Sequence, residues 1–521
     1  MKSWKTPTPE QVQAAVVAIG RPAIRVQFFT KLENPYWVEP LRQHGVFKKP
    51  AQIQREGNSF SFPHWAEGRY LVRMASCGDP GVAKSVVDAV VETEPTDNQV
   101  VHLNYVEIAL AVGTALSRPI VKSELKWLNR QPWLFPLLPE KYSELVERDA
   151  ASDAIDDAFA LARALLAISP DKRPSDRSEP GSKFEHYFYR DTLLRSIGAL
   201  KRVQPLETIR FLCDLVDAAI RIKAGPEPRS YDLSIGWRSG IESNDQNFDH
   251  GSILDALLDA TRDTLEEIVR KGSVLVGDVL KMLRERHQPI FDRMAIHLAR
   301  VLKDQAPDVA HALVADITAL HSLDLRPEYM LLLRDVFPTL EAVEQDHVLR
   351  AITAGPAVGN HDLSTADGRA DFESYSRSWK LDRLAMIQKD LPEGWRHVYD
   401  ALVEEFGQPR HPEHIGNRSQ VGVGPVSPKR SDELLSMSLD VLVEFLVVWR
   451  PKQSFMAPSP NLLSEFSVNF RIGPDSTRSN LWSRAAKKRT RPSRFRFRPR
   501  TVVFPSAASR LATALSSERR T

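Results

Sequence analysis

The sequence predicts an all-α chain whose helices stack in series as an α-solenoid, followed by a disordered basic tail. Three observations predict it. First, apolar residues recur at helical spacing. Ile155, Ala158, Phe159, Ala162, Leu165 and Leu166 share one face, as do Leu206, Ile209, Cys213, Val216 and Ile220, and Leu254, Leu257, Leu258, Thr261, Leu265 and Ile268. Second, such patterns follow one another from Thr8 to about Glu405 with short breaks, and strand-like alternation is scarce. An amphipathic helix cannot bury its stripe alone, so many in series imply stacking on neighbours. Third, the periodicity stops near Phe466 and an Arg-rich run takes over.

The elements follow in order. Residues 1–75 read as an aromatic-rich N-terminal helical cap. Thr8 can cap a helix, with Pro9 at its first position and Gln11 placed to close a capping box. Val12, Ala15, Val16 and Ile19 make its apolar face, and Gly20-Arg21-Pro22 ends it. Residues 49–59 read as loop. Residues 76–223 hold helical repeats near 80–93, 98–117, 119–130, 138–148, 151–168, 184–201 and 205–223, with a Pro-rich break at 169–182. A long inserted loop spans 224–250. Residues 251–406 hold further repeats near 251–270, 273–286, 288–304, 306–321, 326–337, 340–353, 371–389 and 392–406, with a Gly/Asp-rich break at 354–370. Residues 407–465 form a linker and a terminal helix, and residues 466–521 the tail. Helix pairs recur about every 35–50 residues, the length of HEAT- or armadillo-like hairpins, without an alignable signature. Two irregular helical domains divided near 224–250 are the competing arrangement.

The formal net charge of +3 hides a split. From Arg471 to Thr521 there are 14 Lys and Arg against 2 Asp and Glu, a charge of +12, and the remaining residues carry 56 against 65, or −9. The tail is poor in apolar residues and rich in charge, a composition that predicts disorder. Two cysteines, Cys77 and Cys213, cannot build a disulfide framework and suit a reducing compartment. The opening MKSWKTPTPEQ lacks the apolar stretch of a signal peptide. The apolar run from Val441 to Trp449 is too short to span a bilayer and contains Glu444. A cytoplasmic protein without membrane association is expected.

The block FFTKLENPYWVEPLRQHGVF, with FPHWAEGRYLVRMA after it, resembles a widespread family of large bacterial helical-repeat proteins, and GPVSPKRSDELLSMSLDVLVEFL at 424–446 resembles a later part of the same family. The resemblance spans about residues 7–460. It implies a helical array of the kind that accompanies effector modules, some in bacterial defence. It carries no catalytic residue onto this chain. Relatives continue helically beyond residues 459–460, so a shifted frame or a truncation would account for the Arg-rich end.

No motif for chemistry stands out. There is no phosphate loop, no His-Glu-x-x-His and no Cys-x-x-Cys. Asn360-His361-Asp362 contains the His-Asp pair of metal phosphohydrolases, but two ligands do not hold a catalytic metal, and Asp362 reads as a turn starter. His411-Pro412-Glu413-His414 offers two imidazoles and a carboxylate, with a solvated loop the stronger reading. In the long break lie Asp232, Asp245, Asp249, Ser243 and Asn244, beside Tyr231, Ile235, Trp237 and Phe248, which are too apolar for a plain linker. Trp37, Trp65, Trp127, Trp133, Trp379 and Trp395 read as core pieces at helix junctions. No cofactor or metal is assigned.

These observations point to a non-catalytic helical-repeat scaffold or recognition module that binds another protein, in keeping with the defence-type systems of the resemblance. One alternative is a nucleic-acid-binding accessory protein acting through the tail, where Arg494, Phe495, Arg496, Phe497, Arg498 and Arg500 can pair phosphates and stack on bases. Another is an enzyme built on the 224–250 and 354–370 loops.

Overall fold

Thr8 opens the first helix as its sequence predicts. Its hydroxyl accepts from Gln11 N at 3.3 Å, and Thr8 N donates to Gln11 Oε1 at 3.0 Å, a closed capping box. The computed structural model describes residues 4–57, 59–171, 179–224, 234–242, 252–359 and 362–414, with residues 438 and 441. Of the described residues, 70% are helical and 3% lie in strands. The protein is all-helical, and among the described residues no helix is long and apolar enough to cross a membrane.

The helices are α1 (Pro9–Ala18), α2 (Pro22–Lys31), α3 (Val38–Gln43), α4 (Ala66–Ala75), α5 (Pro80–Val91), α6 (Gln99–Val112), α7 (Thr114–Arg130), α8 (Leu137–Ala150), α9 (Ile155–Leu165), α10 (His186–Val203) and α11 (Pro205–Ala224). There follow α12 (Ser234–Trp237), α13 (Ile253–Arg270), α14 (Val276–Arg284), α15 (Pro289–Val301), α16 (Pro307–Val314), α17 (Ile317–His321), α18 (Arg326–Val336), α19 (Ala342–Ala354), α20 (Ala366–Met386) and α21 (Glu393–Phe406). Short side chains cap many of them. Asp79 accepts from Gly81 N and Val82 N, Asn98 from Val100 N, Ser252 from Asp255 N and Thr365 from Gly368 N, each satisfying a donor that the helix leaves free.

Helix packs on helix in a repeating way. In one succession α2 packs on α4, α4 on α6, α6 on α8, α8 on α10, α10 on α13, α13 on α15, α15 on α18 and α18 on α20. In a second, α3 packs on α5, α5 on α7 and α7 on α9. Phe159 meets Phe211 with ring centroids 6.5 Å apart, joining α9 to α11, and α11 packs on α14. The two successions meet through pairs such as α6–α7, α8–α9 and α10–α11. Close approach is built in where needed. A Cβ at Gly68 would stand 2.2 Å from the Trp65 ring and 2.7 Å from Asn104 Oδ1, so only glycine lets α4 lie this close to α6.

The buried side chains form two clusters, one running from Ile19 to Leu302 and one from Ile296 to Leu402. They meet in α15. Ile290, Phe291, Met294, Ala295 and Leu298 face the first cluster, while Ile296 and Ala299 face the second. The change of core therefore runs along a helix, not at the 224–250 break where the competing arrangement placed it. The described residues up to His414 belong to one compact unit, Met1–Gly416.

Several boundaries differ from the sequence reading. The pattern over 98–117 is interrupted by Gly113, whose φ of +78° is open to glycine. The next helix starts at Thr114 and carries Pro119 inside it rather than beginning there. The pattern over 306–321 divides into α16 and α17, because Asp316 turns out to be a cap that accepts from Thr318 N at 2.9 Å. Within 49–59 lies part of a short hairpin, β1 (Gln54–Glu56) against β2 (Ser59–Ser61) in antiparallel register. The 169–182 break holds a second strand pair, β3 (Ser169–Pro170) with β4 (Pro180–Gly181).

Candidate functional site

A group of buried charges gathers around residues 234–242. Arg293 on α15 is fully buried, and its Nε donates to Glu328 Oε2 at 2.8 Å and its Nη2 to Glu328 Oε1 at 3.0 Å. Two more of its protons go to Arg238 O at 2.9 Å and Ser234 Oγ at 3.3 Å. A buried guanidinium costs several kcal/mol of desolvation unless such partners fill its fork. Glu328, on α18, also accepts from Ile241 N at 2.8 Å. Arg238 in turn reaches Asp255 at 3.3 Å and Asp259 at 2.7 Å on α13, and Arg262 donates to Ile241 O at 3.1 Å. Three arginines thus pin residues 234–242 between α13, α15 and α18.

Beside this wedge opens a pocket of about 110 Å³. Gly240, Ile241 and Glu242 form one wall, His297 and Arg300 of α15 another, Pro327, Glu328 and Leu331 of α18 a third, and Glu413 and His414 a fourth. Arg326 brings the fourth wall in, donating to Pro412 O and to Asp382 Oδ2, both at 2.8 Å. Arg300 is held by Glu242 at 2.8 Å and Asp335 at 2.9 Å, while its buried Nε has no partner among the described residues. His297 Nε2 lies 2.8 Å from Glu266 Oε1. That hydrogen bond, against burial, pulls the Glu266 carboxyl below its ordinary range. Burial pushes the His414 imidazole down, with Glu413 opposing. The lining offers fixed charge and hydrogen bonds, and none of its side chains is a serine, threonine or cysteine.

Two further polar clusters are closed to solvent. On α6, α7 and α8, Glu124 accepts from Tyr142 at 2.6 Å and lies 2.8 Å from His102 Nδ1, and the His102 ring stacks on Trp127 with centroids 3.6 Å apart. In the second core the Arg383 guanidinium sits 3.5 Å above the Trp379 ring and donates to the carbonyls of Leu320 and Trp379. Burial, and then Arg326, works against its charge. His321 stacks on Trp379 at 5.2 Å, and its Nδ1 has no partner among the described residues.

The sequence candidates are placed as follows. Arg494, Phe495, Arg496, Phe497, Arg498 and Arg500 lie outside the described residues, as do Asn360, His361, Tyr231, Asp232, Ser243, Asn244, Asp245, Phe248 and Asp249. Asp362 starts a turn, accepting from Ser364 N at 3.0 Å. His411 is mostly exposed, 3.4 Å from Glu413, and His414 is 3.7 Å from the same carboxylate. Among the described residues no group of three or more His, Cys, Asp or Glu is arranged to hold a metal ion. Trp65, Trp127 and Trp379 are core residues, and Trp37 and Trp395 are partly buried. Trp133 departs from that reading at 49% exposed. The pocket unites 240–242 with 413–414, and no residue of 354–370 lines it. Sequence reading passed over Arg293 and Glu328. The usable signal was Arg293 with His297 and Arg300, polar groups recurring at i, i+4 and i+7 on one face of a helix whose other positions are largely apolar. Comparison with known protein families, with curated proteins and with solved structures finds no match to this chain.

Proposed function

We propose that the chain is a non-catalytic helical scaffold, an α-solenoid of HEAT/armadillo-like hairpins that recognises another protein. The observation that carries this reading is the succession of packings from α2 to α20, in which each helix meets the one before and the one after. Chains built this way present long surfaces and grow without a larger core. Apolar side chains stand exposed at separate points along this one, among them Tyr187 at 68%, Leu275 at 74% and Val343 at 79%, and each is a place where contact with a partner can be probed. The resemblance to large bacterial repeat proteins agrees. The polar pocket fits the same reading as a knot that holds α13, α15 and α18 in register.

The test is isolation of the full chain from cells of its source after nuclease treatment. The reading expects a stoichiometric protein complex, confirmed by light scattering of the purified components. Tyr187→Asp, Leu275→Asp and Val343→Asp, tested singly, should weaken it at whichever site the partner covers, with helicity unchanged. A chain that stays alone, or whose co-purifying material vanishes with nuclease, would overturn the protein-partner reading.

A further inference from the structure

The solvent side of α7 carries charge of one sign. Arg118, Lys122, Lys126 and Arg130 lie four residues apart and are all exposed. The helix has one carboxylate, Glu124, and that group is 1% exposed and committed inward to His102 and Tyr142. Arg118 stands 3.8 Å from Asp157, whereas Lys122, Lys126 and Arg130 form no ion pair among the described residues. Elsewhere on the same side of the array the charges are answered. Lys84 pairs with Asp88 on α5 at 2.6 Å, and Arg163 on α9 pairs with Glu207 at 2.6 Å.

The ridge leads to aromatic rings. Three residues past Arg130 stands Trp133, half exposed. Leu134 N donates to Lys183 O at 2.6 Å, and Lys183 Nζ donates to the carbonyls of Leu128 and Gln131 at 2.6 and 2.9 Å. These bonds tie the end of α7 to the segment that starts α10, whose first turn exposes Tyr187 at 68%. Cations and exposed aromatic side chains therefore come together around the C-terminal end of α7.

We propose that this surface, the α7 ridge with Trp133 and Tyr187, binds single-stranded nucleic acid. Four helical residues advance about 6 Å, so the ridge sets its cations at regular steps along one line, as a groove that tracks a nucleic-acid backbone requires. The ridge can follow successive phosphates while Trp133 and Tyr187 offer faces to unpaired bases, which a duplex keeps inside its stack. The residues before Arg471 carry −9 in total, so a polyanion is repelled from most of the body and directed to the ridge. The residues of this surface are distinct in sequence from the Arg494–Arg500 run.

The test uses the full chain and an oligothymidylate of about 16 nucleotides, the upper site size of comparable grooves, bearing a photoreactive base. Cross-linked peptides are mapped by mass spectrometry. The proposal expects adducts on the peptide containing Trp133, retained when Arg494, Arg496, Arg498 and Arg500 are all changed to Gln. Combining Lys122→Ala, Lys126→Ala and Arg130→Ala should reduce the slope of log affinity against log salt by about 2. Trp133→Ala should weaken binding about 5- to 100-fold. The three α7 changes are surface changes toward a good helix former, Trp133 lies in the loop after α7, and circular dichroism checks that the fold is kept in each variant. Adducts confined to residues 471–521, or an unchanged salt slope in the triple variant, would overturn the proposal. So would equal affinity for a duplex of the same length together with indifference to Trp133→Ala.

Discussion

Glu328→Gln tests whether the buried charges hold the 234–242 wedge. The carboxylate accepts from Arg293 Nε at 2.8 Å, Arg293 Nη2 at 3.0 Å and Ile241 N at 2.8 Å, and both charged side chains are 2% exposed or less. The amide keeps the shape and loses the charge, leaving Arg293 buried without its counter-ion. Breaking such a pair costs about 3–5 kcal/mol, a factor between about 10² and 10⁴ in the local opening equilibrium. Arg293→Met combined with Glu328→Leu removes both charges. What then remains is the unsatisfied Ile241 N–H and Arg238 carbonyl, about 1–3 kcal/mol each. The double variant should be no worse than Glu328→Gln alone and well below the sum of the two single losses. A unit of this size does not unfold in one step, so the assay is hydrogen exchange followed by mass spectrometry. Peptides covering 234–242, α13, α15 and α18 should lose protection while those of α4 to α8 keep theirs. Unchanged protection in Glu328→Gln, or a double variant whose loss equals the sum of the singles, would refute the argument.

Other expectations follow from the same structure. Leu165 is fully buried on α9, so Leu165→Ala should cost about 2–5 kcal/mol, with exchange rising in α8 and α10 and not in α18 to α21; uniform loss along the chain would contradict neighbour-limited packing. Cys213 is buried and its thiol is pushed up to about 12 by that burial, whereas Cys77 is exposed. A thiol reagent should label Cys77 in the native protein and Cys213 only after unfolding, and fast native labelling of Cys213 would place α11 wrongly. Burial, with Arg383 adding for His321, pulls the imidazoles of His321 and His414 below the ordinary 6.5. For a depressed pKa the unfolded chain binds the proton first, so this stability is present above about pH 6.5 and is lost as pH falls through the folded values. His321→Gln should flatten the acid limb of the unfolding profile, and an unchanged limb would exclude His321 as its source.

Much of the fold was legible because helices are written locally. The stripe Ile155–Leu166 and the Thr8–Gln11 capping box depend on residues within a few positions of each other, and both occur where the pattern places them. Misread boundaries came from residues with two local meanings. Pro119 can start a helix or sit within one, and Gly113 decided the matter by taking a positive φ. The site was barely legible. Glu328 meets Arg293 across 35 positions and Ile241 across 87, and no periodicity encodes which helix faces another at such separations. Trp65 and Trp133 look alike in sequence beside their prolines, yet one is 2% exposed and the other 49%. By itself the sequence determined where helices form, because turn-by-turn hydrogen bonding and amphipathic spacing are short-range. Only the tertiary structure decided which charges are buried in pairs and which, like those of α7, are left facing water, because burial depends on what packs from far along the chain.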